Sequence, residues 1–222
     1  PPPAPAVIPF RLGVHIINDH RQAQIAYDNG VRSIVWMDGK LGARQFADSH
    51  PDCYVIYRRF VHQSRLSAEQ WFTALEVAAD DPPNLIYTAF NESDSIGTSA
   101  DEIRMRGAVD VALAKLIKAR NPRLTFLAGS FAHGNPDTNS PAICEAMRTA
   151  YADAFNSGLI DFDLHNYTMG KRFASHPPGG AQIIGPEWFE LRAMQFVEKC
   201  GFKARQGFWA TESGVEARPS NG

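Results

Sequence analysis

Two glutamates occupy matching places in the chain. Glu92 closes the stretch Asn84-Leu-Ile-Tyr-Thr-Ala-Phe-Asn91-Glu92, and Glu212 closes Gly207-Phe-Trp-Ala-Thr211-Glu212 ahead of Ser213-Gly214. Each ends an apolar run of strand length, rich in β-branched or aromatic residues. A carboxylate delivered at the C-terminal tip of a strand suits parallel α/β folds, where chemistry collects at that end of the sheet. Two such tips facing each other would pair a proton donor with an anionic carboxylate. The ionised group disfavours ionisation of its neighbour and raises the neighbour's pKa, which keeps that neighbour a usable acid near neutrality.

Such a pair needs strands to carry it. Strand-like segments begin near residues 12, 32, 53, 85, 123, 160 and 206, with helical patterns between them. Two helices announce their starts with capping boxes, Ser67-Ala-Glu-Gln70 and Ser99-Ala-Asp-Glu102, in which each serine and the residue three positions on satisfy one another's backbone N–H. Pro82 and Pro122 end the helices before them. Regular alternation predicts parallel strands covered by helices. No Gly-x-Gly-x-x-Gly follows the first strand and no Walker-type lysine loop occurs, which removes the commonest reasons for an open dinucleotide-binding sheet. The expected fold is α/β, a (β/α)8 TIM barrel, which typically takes about 250 residues. Seven units in 222 residues leave the eighth strand and helix out of this chain. Another chain or a further segment is then expected to complete the barrel. Residues 1–10, opening Pro1-Pro-Pro-Ala-Pro-Ala6, read as a proline-rich linker or tail, and residues 11–222 as the barrel.

Composition narrows the partners. With 22 basic and 24 acidic residues spread along the chain, net charge −2, nothing marks a nucleic-acid surface. The apolar stretches are strand-sized, so no membrane span is expected. Cys53, Cys144 and Cys200 lack metal-ligand spacing and read as small buried hydrophobes. The proline-rich start leans toward a secreted or extracytoplasmic location.

The ordered set Asn91-Glu92 on the fourth strand, His165-Asn-Tyr167 on the sixth and Thr211-Glu212-Ser-Gly on the seventh resembles clan A glycoside hydrolases, with the nearest look to glycoside hydrolase family 39 and related retaining β-glycosidases. The resemblance implies that Glu92 is the acid/base, that Asn91 binds the sugar 2-hydroxyl, that Glu212 is the nucleophile, and that Tyr167 positions it. It implies cleavage of β-glycosidic bonds of an oligo- or polysaccharide by double displacement, with a carbohydrate as partner and no metal or other cofactor. Glycosidic cleavage needs one proton donor and one carboxylate across the anomeric carbon, about 5–5.5 Å apart in a retaining enzyme.

Trp36, His133 and Trp209 fall at or near strand ends, where aromatic rings can stack on sugar faces or simply pack. His165 serves equally as a sugar contact or as a satisfied histidine beneath the barrel mouth. Two departures from the clan pattern stand out. The second strand, Ile34-Val-Trp36-Met-Asp38, carries no arginine where clan members usually have one touching the nucleophile, and the eighth strand with its terminal aromatic is not seen. Arg58 and Arg59 alternate along the third strand, so one faces inward and could substitute. The alternative reading is a glycosidase-like protein that binds carbohydrate without cutting it. A third, a metal hydrolase using His15, His133 and His165, lacks the His-x-His that such barrels start from on strand one.

Overall fold

The computed structural model describes residues 13–61, 66–90, 99–131, 136–169, 187–205 and 207–216, with side chains throughout except at 166–169, 187–192, 210 and 212–216. The strands are β1 (Gly13–Ile17), β2 (Ser33–Met37), β3 (Tyr54–Arg58), β4 (Leu85–Thr88), β5 (Thr125–Phe131), β6 (Asp161–Met169) and β7 (Phe208–Glu216). The helices are α1 (His20–Asp28), α2 (Lys40–Ser49), α3 (Ala68–Ala74), α4 (Ala100–Arg120), α5 (Pro141–Met147), α6 (Asp153–Asn156) and α7 (Glu187–Cys200). The strands form one 7-stranded parallel sheet in sequential order β1 to β7. Parallel crossovers are right-handed, so an unbroken sequential order sends every connecting helix to the same face. The sheet then curls around its other face, as a half-barrel of the TIM type.

The two faces separate cleanly in the packing. Ile34, Trp36, Val55, Tyr57, Leu85, Tyr87, Phe126 and Phe162 point outward into the main core beneath the helices. Their neighbours Val35, Ile56, Ile86 and Leu127 form a second, inner cluster joined by Tyr54 and Trp209. Curling is visible in that inner layer, because Tyr54 of β3 and Trp209 of β7 meet edge to face with centroids 5.4 Å apart.

Both capping boxes are present, at Ser67/Gln70 and Ser99/Glu102. Two elements depart from the sequence pattern. The apolar periodicity carries α3 on to Ala79, yet the helix stops at Ala74 and Glu76 turns to φ 53°. Arg59 donates to the Ala74 carbonyl at 2.6 Å and to Glu76 at 2.7 Å, caring for the released helix end. Pro141, at the first helical position after Ser140, predicts one helix running to about Asn156, whereas the structure has α5 and α6 joined by a π-helical turn, Arg148–Ala152. All three cysteines are buried free thiols. Among the described residues, no helix is long and apolar enough to cross a membrane. Residues 168–185, where Pro-Pro-Gly-Gly predicts a loop, lie, past Met169, outside the described residues.

Candidate active site

A run of polar side chains crosses the inner face toward the C-terminal ends of the strands. Thr88 of β4 and Ser130 of β5 are 3.1 Å apart, and Ser130 donates its hydroxyl to Asp163 Oδ2 of β6 at 2.6 Å. Thr211 of β7 gives Asp163 two hydrogen bonds, its backbone N–H to Oδ1 at 2.9 Å and its hydroxyl to Oδ2 at 2.6 Å. His165 Nε2 lies 3.2 Å from Thr211 Oγ1 and 3.3 Å from Asp163 Oδ2. His15 Nε2 of β1 lies 2.7 Å from the Thr211 carbonyl oxygen.

Proton counting orients this network. A hydroxyl has one hydrogen, and those of Ser130 and Thr211 go to the carboxylate, so Thr88 must donate to Ser130 and His165 Nε2 must donate to Thr211. A carbonyl only accepts, so His15 carries its proton on Nε2. Burial opposes ionisation of Asp163, but the hydrogen bond and charge of His165, with the Ser130 and Thr211 hydroxyls, outweigh it and hold the carboxyl below the usual carboxylate range.

Ser130 reaches the network because β5 bulges. The register with β6 shifts between Gly129 and Phe131, with Gly129 at φ 97° and Ser130 at φ 45°. Glycine is required at 129, since a Cβ there would meet Phe162 Cζ at 2.9 Å and the Asp163 carbonyl oxygen at 3.0 Å. From the helix side, Arg106 of α4 donates to the Gly129 carbonyl, and Asp110 accepts from the Gly129 N–H at 3.3 Å and the Tyr151 hydroxyl at 3.0 Å. Burial pushes the Asp110 carboxyl up to about 6 against the pull of Arg106, Tyr151 and Gly129.

The structure describes part of the candidate set. Glu212 lies within β7 rather than at its tip, because the strand continues to Glu216, and its backbone is in register with His165. The Glu212 and Tyr167 side chains, and all of Asn91, Glu92 and His133, lie outside the described residues. His165 is fully buried and hydrogen-bonded, the satisfied histidine of the two readings. Trp209 faces inward, donating to Asp161 at 3.0 Å and packing on Tyr54, below the polar network. Trp36 does not suit sugar stacking: it faces outward, fully buried against His20 and Phe46. Arg58 is the inward arginine, on the Ile56 face and 4% exposed, while Arg59 points out to Glu76. Asp163 and Ser130 are functional candidates that the strand-tip motifs do not reveal, and Thr211, which stands in the seventh-strand motif, carries a role the motif does not show, as a hydrogen-bond donor to Asp163 beside Ser130. The signal for Asp163 is the alternation Asp161-Phe-Asp163-Leu-His165, which puts three polar side chains on one face of a core strand. Among the described residues, no cluster of histidine, cysteine and carboxylate groups could hold a metal.

The fold matches a family 39 glycoside hydrolase from the gut symbiont Bacteroides cellulosilyticus WH2, with a TM-score of 0.56 and 10% identity over 91% of this chain and 49% of that one. The chain thus spans about half the length of that protein. A family 44 endoglucanase from Clostridium thermocellum aligns at a TM-score of 0.32 and 14% identity, over 72% of this chain and 41% of its own. No protein-family model matches the chain, and no curated protein does. At 10% identity the family 39 likeness is one of fold, and it defines the class of architecture: a partial (β/α) barrel.

Proposed function

We propose that the chain carries the catalytic residues of a retaining β-glycosidase acting on an oligo- or polysaccharide. The observation that carries this reading is the register of β7, which sets Glu212 beside His165 above a buried polar network, on a glycoside-hydrolase-like sheet. In this reading Glu212 attacks the anomeric carbon while Glu92 protonates the departing oxygen. With Glu212 then neutral as a glycosyl ester, Glu92 ionises more readily and takes a proton from the incoming water. Asn91 holds the 2-hydroxyl and Tyr167 steadies Glu212. Arg58 supports the role left vacant on β2, where Met37 stands in register with it.

The test is hydrolysis of aryl β-glycosides by Glu92→Gln and Glu212→Gln, each expected to lose about 10³-fold or more in turnover, the scale of a removed catalytic group. Near-wild-type turnover in either variant ends the reading. The arginine-free β2 favours a second reading, carbohydrate binding without cleavage. Oligosaccharide binding by calorimetry, with no hydrolysis by the unmutated protein, supports that one instead.

A further inference from the structure

The pairing of β6 with β7 is irregular where the candidate nucleophile sits. Asp163 pairs with Trp209, and the next register pair is His165 with Glu212. Two steps along β6 are thus matched by three along β7, so β7 holds one extra residue between Trp209 and Glu212. An extra residue in a strand loses its place in the ladder, and its backbone N–H needs another acceptor. Thr211 finds that acceptor in a side chain: its N–H goes to Asp163 Oδ1, and its hydroxyl to Oδ2 of the same carboxylate. Asp163 is fully buried, and Ser130 adds a further donor to it from the β5 bulge. On the far side, His15 takes the Thr211 carbonyl. The backbone of the residue before Glu212 is therefore gripped on both sides by side chains rather than by strands.

We propose that Asp163 is a positioning residue that sets the register of Glu212 by fixing this bulge through Thr211. Without the bulge, regular pairing onward from Asp163 and Trp209 would place Thr211 opposite His165 in place of Glu212, and turn the Glu212 side chain to the other face. Asp163 acts on the backbone of the nucleophile strand and touches no substrate. The catalytic consequence rests on Glu212 being the nucleophile, whereas the register itself does not.

Two readouts separate these. Asp163→Asn and Thr211→Val are expected to lower kcat on an aryl β-glycoside by about 10- to 100-fold, the scale of a misplaced reacting group, with KM nearly unchanged. Thr211→Ser, which keeps the hydroxyl donor, is expected to recover most of that loss. Thr211→Val removes no charge, so it covers the case in which Asp163→Asn does not fold. Amide exchange of residues 208–216 is expected to quicken in both variants while β2 to β4 stay protected. Full kcat in Thr211→Val alongside an inactive Glu212→Gln overturns the positioning role and leaves the glycosidase reading intact. An active Glu212→Gln ends the glycosidase reading alone, and unchanged protection of 208–216 then overturns the register role.

Discussion

His15 on the first strand holds the carbonyl of Thr211 on the last at 2.7 Å, joining the two edges of the sheet through one side chain. In a parallel sheet the edge strands present unpaired backbone groups, a liability for any open barrel. Here the edge residue that a bulge has pulled out of the ladder is the one captured. The contact extends a line of polar groups that begins at Thr88 and passes through Ser130, Asp163 and Thr211. Structure and proposed chemistry therefore meet at one residue, which borders Glu212.

The two adjacent arginines should behave differently. Arg58 is buried on the inner face, and its planar fork of donors is not reproduced by lysine. Arg58→Lys is expected to lower kcat by about 10-fold or more, in line with lost electrostatic support of the reacting groups. Arg59→Ala removes an exposed ion pair with Glu76 and a helix-end contact. It is expected to change stability by about 1 kcal/mol or less and to leave kcat alone. Equal kinetic effects in the two variants would contradict the assigned directions.

Trp36 separates packing from sugar recognition. Its ring is fully buried on the helix side, and its indole N–H has no hydrogen-bond partner among the described residues. Trp36→Phe therefore breaks no hydrogen bond and should destabilise far less than Trp36→Ala, for which about 3–5 kcal/mol is expected. Substrate KM should be unchanged in Trp36→Phe. A tenfold rise in KM with unchanged melting temperature would restore the stacking role.

Two buried aspartates should oppose each other in acid. The Asp110 carboxyl is raised to about 6, so between about pH 4 and 6 the unfolded chain releases its proton first and the native state binds more. This contribution is fully present below pH 4 and is lost as pH rises through 6, by roughly 3 kcal/mol. The Asp163 carboxyl is lowered, so its contribution is present above the ordinary carboxylate range and is lost only as pH falls below it. Urea midpoints at pH 4.5 and 7.5 should therefore show a smaller loss toward neutrality in Asp110→Asn than in the unmutated protein. Parallel shifts in the two proteins would rule the Asp110 effect out.

What the sequence alone determined is local in origin. The strands appear where apolar runs predict them, and Ser67 and Ser99 start their helices because a cap needs only its own four residues. The sequential alternation already implies a parallel sheet with helices on one face. What it lacks is phase. A period of two says that Arg58 and Arg59 diverge, but the curl of the whole sheet decides that Arg58 goes inward, and the same curl sends Trp36 outward beneath α1 and α2. Helix α3 stops early through Arg59 and Glu76, a contact outside its own sequence. The position of Glu212 inside β7 is likewise a tertiary decision. A one-residue bulge sets it, and that bulge exists because a carboxylate on the neighbouring strand accepts the N–H it sets free.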